Sequence, residues 1–158
     1  MTPALRWLSA LFGLVGAGAF AVSVQAGKWW SIAGVVEIGP HRSWQCFKDE
    51  CVPAGMSWIG ASAQWERFGI ATWGAGLVGA LVMVLLAATI AAGRVPRLLA
   101  QMAIVAVLTA LAASTAFVAK FPGVTGAGLD RGALLYVVAM VFGAATAVIT
   151  LRAPKPSA

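Results

Sequence analysis

Four long apolar runs dominate the chain, at residues 7–26, 70–92, 98–119 and 133–151, and none contains Asp, Glu, Lys, Arg or His. Each is close to the roughly 20 residues that carry a helix across a hydrocarbon layer about 30 Å thick. A backbone in lipid must satisfy its own hydrogen bonds, so each run is predicted to be a helix. The connections are unequal. Residues 27–69 form a long first loop, 93–97 a tight turn with Pro96 suited to a helix start, and 120–132 a short loop with Pro122, Gly123, Gly126 and Gly128. The tail, 153–158, is Pro-rich.

The first loop has a pattern of its own. Residues 31–38 are rich in Ile and Val and end at Gly39-Pro40; 43–47 and 51–52 flank Lys48-Asp49-Glu50 as two short strands of a hairpin would. A small antiparallel sheet lying on the helix bundle is predicted. The loop holds Trp29, Trp30, Trp44, Trp58 and Trp65, five of the chain's seven tryptophans. Trp30 and Trp65 also fit an interfacial aromatic belt, which leaves Trp44 and Trp58 unexplained.

Composition strengthens the membrane reading. Of 158 residues, 61% are hydrophobic and 10% charged, against about 25% charged in a soluble domain. The net charge of +6 does not point to nucleic acid, because the basic residues are scattered and no recognition motif is present. They read instead as topology signals. One side of a four-span layout holds Arg6, Arg94, Arg97, Arg152 and Lys155 with no acid. The other holds Lys28, Arg42, Lys48, Arg67, Lys120 and Arg131 against Glu37, Asp49, Glu50, Glu66 and Asp130. Positive residues gather on the cytoplasmic side. The expectation is a plasma (inner) membrane protein with both termini and the 153–158 tail cytoplasmic, and with the first loop extracellular or periplasmic. Arg6, an apolar stretch and Val24-Gln25-Ala26 also match a signal peptide with a cleavage site. The stretch is long for a signal core, which favours a retained helix; either way the first loop is exported.

Candidate chemistry is sparse. Cys46 and Cys51 face the outside on this topology, where disulfides persist, and their spacing allows facing positions on adjacent strands. A structural disulfide is expected. A thiol oxidoreductase would need a low-pKa pair, usually Cys-x-x-Cys, and a second pair to relay electrons; one pair at the wrong spacing argues against it. A metal site from Cys46, Cys51 and His41 would lack a fourth ligand. Intramembrane ionisable groups mark transport and proton paths, and the four runs hold none. Gln101 and the span Thr and Ser residues read as local hydrogen-bonding groups. No catalytic residue, cofactor or metal is expected. Small residues spaced by four, such as Gly13 and Ala17, Gly76 and Ala80, and Ala139 and Gly143, predict close helix contacts.

The layout resembles the claudin superfamily, which includes claudins, peripheral myelin proteins and calcium-channel gamma subunits. That group carries an early Trp in a large first extracellular loop, then Gly-Leu-Trp and two cysteines. Trp30 corresponds to the early Trp, Trp44 to the later one, and Cys46 and Cys51 to the pair; Arg67 stands where the loop re-enters the second helix, as an Arg does in claudins. The last helix, with Gly132-Ala-Leu-Leu-Tyr136, is similarly Gly- and Ala-rich. The chain departs from the pattern in having Arg42-Ser43 for Gly-Leu, one residue between Trp44 and Cys46 where two are usual, and closer cysteines. The resemblance implies a four-transmembrane-helix bundle with a small extracellular sheet, and Trp30, Trp44 and Arg67 as its scaffold. An Ala-, Gly- and Arg-rich, Lys-poor composition suggests a bacterial relative, in which an epithelial barrier role has no place.

These readings converge on a non-enzymatic structural, adhesive or auxiliary subunit acting through its first loop. Phe47, Lys48, Asp49 and Glu50 are the candidate contact residues, and the expected partners are the bilayer and either a second copy or another membrane protein. An oligomeric ion pathway is the alternative; a membrane enzyme is the more distant one.

Overall fold

The computed structural model describes residues 2–26, 28–48 and 50–154. Four helices, all long and apolar enough to cross a membrane, form the bundle: α1 (Pro3–Gln25), α2 (Ala63–Ala91), α3 (Arg97–Ala119) and α4 (Arg131–Arg152). The tail beyond Pro154 lies outside the described residues. α1 packs against α2 and α4, and α3 closes the ring between α2 and α4. Leu11, Leu81, Val105, Leu134 and Val141 point outward and are exposed. Such a surface suits lipid, because water would penalise contiguous apolar area.

The helices outrun the apolar runs. α2 starts at Ala63, seven residues before the expected 70. Ser62 caps it, its Oγ accepting from the Trp65 N–H at 3.2 Å, and Glu66 sits in the first turn, where the helix dipole favours an acid. With 29 residues it is about 43 Å long at 1.5 Å per residue, more than a bilayer core requires. The polar first turns stand beyond the apolar part, so hydropathy marks the membrane segment and not the helix. α1 likewise starts early, at Pro3, with Thr2 as its cap.

Five antiparallel strands form one sheet in the order β4-β3-β2-β1-β5: β1 (Trp30–Ile32), β2 (Val36–Ile38), β3 (Ser43–Phe47), β4 (Glu50–Ala54) and β5 (Ala127–Leu129). Residues 31–38, expected as a single run, are split by a turn at 33–35 into β1 and β2, while β3 and β4 lie where the first-loop pattern predicts them. β5 does not: it comes from the 120–132 connection, which reads as a loop. Three residues with Gly128 in the middle show no alternation. Pairing creates the strand, through Trp30 with Leu129 and Ile32 with Ala127. Two further bonds secure it, from the Asp130 N–H to the Trp29 carbonyl (2.9 Å) and from the Gly132 N–H to the Lys28 carbonyl (2.8 Å).

The sheet is joined to the bundle by aromatic packing. Trp29, Trp30 and Trp65 are all buried, with Phe20, Phe117 and Tyr136. Trp30 stacks on Phe121 at 4.4 Å and Trp65 on Phe117 at 4.8 Å; Trp29 meets Tyr136 edge-on at 5.0 Å. Trp30 and Trp65 are therefore core residues, and the belt reading does not apply to them. Close backbone approach completes the seat. A Cβ on Gly69 in α2 would collide with the Pro40 carbonyl in the β2–β3 turn, and one on Gly76 would strike Val24 at 2.6 Å.

Gly69→Val should therefore push the turn off the helix and destabilise the protein by about 3 kcal/mol, at the upper end of overpacking effects. Gly74→Ala, five residues on and with open space around it, should change little. Thermal unfolding of both variants in detergent, followed by tryptophan fluorescence, compares them directly.

Candidate functional site

Strand alternation sorts the sheet into two faces. Trp30 and Ile38 lie on the bundle side and are buried. Glu37, Trp44, Cys46 and Cys51 lie on the other, with Glu37 opposite Trp44 and Cys46 opposite Cys51. Cys46 and Cys51 are joined by a disulfide. It ties β3 to β4 one pair away from the turn, so it fixes their register at the tip. Glu37 lies close to the two sulfurs, but those sulfurs are bonded to each other and supply no thiolate ligand. Glu37 forms an ion pair with Lys28. His41 is apart from this group, in the β2–β3 turn, with its ring 5.1 Å from that of Trp73. Burial, and then the neighbouring Arg42 charge, hold its pKa below the ordinary 6.5.

Arg42 and Trp44 brace the base of the hairpin. The Arg42 guanidinium lies 4.6 Å over the Trp44 ring and donates to the Gln25 carbonyl at the end of α1, at 2.6 Å. Trp44 itself is half-buried and outside the buried aromatic cluster. Ser43 is the hub on the opposite face. Its hydroxyl donates to the Ala54 and Gly55 carbonyls and accepts from the Trp58 indole at 3.0 Å. That bond accounts for Trp58, which tethers the chain after β4 to the sheet. Arg67 is exposed in the second turn of α2, on the sheet side of the bundle.

At the hairpin tip Phe47 is 74% exposed, and Val52 and Val35 are also largely exposed. Phe47 pairs with Glu50 across the strands, and Lys48 follows at the turn. Asp49 lies outside the described residues. Lys48 has φ of 46°, in the left-handed region that tight hairpin turns require; its ammonium lies 5.8 Å from the Phe47 ring centre. A concavity of about 510 Å³ opens beside the tip, lined by Val35, Glu37, Cys46, Phe47, Lys48 and Cys51 among others. An exposed aromatic knob and a mixed polar and apolar hollow thus share one end of the sheet. Of the sequence-derived residues, Phe47, Lys48 and Glu50 come together here with the disulfide; Trp30 and Arg67 lie elsewhere. Val35, Val52 and Glu37 complete the patch: the β3–β4 register brings in Val52, and the β2–β3 register brings in Glu37 and the adjoining Val35.

No protein-family model matches the chain, and no curated protein matches it.

Replacing both cysteines by Ser should remove about 2 kcal/mol of constraint on the unfolded chain, the amount expected for so short a loop. The buried junction does not involve them, so helix content should persist while the tip becomes protease-sensitive. Far-ultraviolet circular dichroism with limited proteolysis separates the two effects; loss of helix content in the variant would contradict this division.

Proposed function

We propose that this chain is a non-enzymatic integral membrane protein, a structural, adhesive or auxiliary subunit that makes contact through the tip of its first loop. The observation that carries this reading is the Phe47 ring, 74% exposed on a hairpin whose register a disulfide fixes. An exposed aromatic on a pre-organised support is the usual composition of an interface anchor. Lys48 and Glu50 beside it supply opposite charges that orient a partner. The adjacent hollow is large enough to receive a ring such as Phe47, so a second copy meeting head-to-head is a suitable partner, and another membrane protein offering an aromatic knob is equally suitable. The layout, the early Trp, the disulfide and the small sheet favour a claudin-like member of that superfamily.

In this reading both termini are cytoplasmic and the sheet is extracellular or periplasmic, as the charge asymmetry favours. α1 is retained as a span: Phe20 and Val24 are buried in the junction, and cleavage after Ala26 would expose the apolar surfaces they cover.

Reversing the charges at Lys48, Asp49 and Glu50, or replacing Phe47 by Ser, should leave expression and thermal stability within about 0.5 kcal/mol, as for exposed sites generally. Either change should abolish self-association or co-purification. Unaltered association in both variants would exclude the tip as the contact surface. Topology has its own test. A reporter fused after Ala158 should stay cytoplasmic, and one inserted between Lys48 and Glu50 should be exported; finding both on one side would end the four-span arrangement.

A further inference from the structure

The geometry points to a second site, independent of the loop: a binding groove for one anionic phospholipid between α2 and α3. We propose that an acyl chain lies in this groove and that Arg67 and Lys120 hold the phosphate at its sheet end. The groove measures about 520 Å³, and Ala71, Ala75 and Val78 of α2 face Met102, Val105 and Thr109 of α3 across it. Its walls are almost wholly apolar and it opens outward, toward the lipid side of helices that are long and apolar enough to cross a membrane. Small side chains on α2 make the depression, and a flexible hydrocarbon chain is the shape that fills it.

Charge selects the lipid. On α2, Arg67 precedes Ala71, Ala75 and Val78 by four, eight and eleven residues, the spacing of one helix face at about 3.6 residues per turn. Lys120, the C-cap of α3, follows Met102 by eighteen residues and Thr109 by eleven, so it stands over the groove-lining face of that helix, about 16 Å beyond Thr109 along the axis. α2 begins and α3 ends on the sheet side of the bundle, which brings both cations to the same end of the groove. Both are exposed, and among the described residues neither forms an ion pair, whereas Lys28 pairs with Glu37. Glu66 is about a quarter-turn from Arg67 around α2 and so leaves that face cationic.

The comparable groove between α3 and α4, lined by Leu111, Val118, Leu134 and Val137, lacks this alignment. Lys120 directly follows Ala119, which lines that groove, but it lies about half a turn around the helix from Leu111 and more than a quarter-turn from Ala119. A second copy of the chain is a poorer occupant of the α2–α3 groove. A parallel two-fold contact there would bring two Arg67–Lys120 pairs toward each other, and like charges across an interface disfavour it.

The test uses the full chain in mild detergent, mixed with equal amounts of phosphatidylglycerol and phosphatidylcholine bearing the same acyl chains. Retained lipid is read by native mass spectrometry. At about fivefold per cation near an anionic lipid, phosphatidylglycerol should be retained over phosphatidylcholine by roughly 20- to 30-fold. R67Q/K120Q should bring the two lipids to parity. Arg131→Gln, which removes a charge from α4 away from the groove, should leave the preference unchanged. Val78→Trp fills the groove from an exposed position and should lower retention of both lipids, with thermal unfolding confirming its fold. Equal retention by the unaltered protein would overturn the proposal, as would an undiminished preference in R67Q/K120Q or undiminished retention in Val78→Trp. A two-chain species that Val78→Trp splits would also overturn it, by assigning the groove to a second copy.

Discussion

The sheet and the helices are one body because of the aromatic junction between them. Phe20 from α1, Trp29 and Trp30 from the start of the sheet, Trp65 from α2, Phe117 from α3 and Tyr136 from α4 pack into a single buried cluster. Edge-on and stacked pairs of this kind each contribute about 0.5–1.5 kcal/mol beyond the area they bury. Three of the four polar groups on these rings are hydrogen-bonded. The Trp65 indole donates to the Phe117 carbonyl at 2.9 Å, the Tyr136 hydroxyl to the Thr72 carbonyl at 3.0 Å, and the Trp29 indole to the Ser23 carbonyl at 3.2 Å. An unpaired donor in so apolar a place would be costly. These three side chains therefore tie elements together as well as filling space, and the donor bonds link α2 to α3 and α4 to α2.

That junction explains the division of labour in the first loop. The strands nearest the bundle, β1 and β2, contribute the buried Trp30 and Ile38. β3 and β4 extend beyond them and keep their residues near the tip exposed. Without core contacts of its own, the tip depends on its hydrogen-bond ladder and the disulfide for shape. The sheet's two edges are kept from pairing with other chains by different means. β4 carries Pro53, which cannot donate to another strand, and β5 is three residues long.

Within the bundle, small residues set how closely helices approach, and hence where lipid can enter. Gly13 lies against Ala87, Gly79 against the Phe20 ring, and Gly143 against Val107 and Met83. These contacts draw α1, α2, α3 and α4 together. Where small residues face outward instead, as Ala71 and Ala75 do on α2, the same economy of volume leaves a groove.

The sequence by itself determined the four helices, the hairpin and the disulfide. Charge-free apolar runs of about 20 residues have few other stable forms, and two cysteines flanking a turn signal in a strand pattern have an obvious geometry. It also brought forward Phe47, Lys48 and Glu50, because Lys48 and Glu50 are charged residues at the hairpin turn and Phe47 ends the strand before it. Four things were decided only by the tertiary structure. They are the burial of Trp30 and Trp65, the fifth strand at Ala127–Leu129, the place of Val35 and Glu37 beside the tip, and the groove between α2 and α3. Each depends on residues far apart in the chain meeting in space. Local periodicity reports which way a side chain faces along its own element; what it faces is set by how the elements pack.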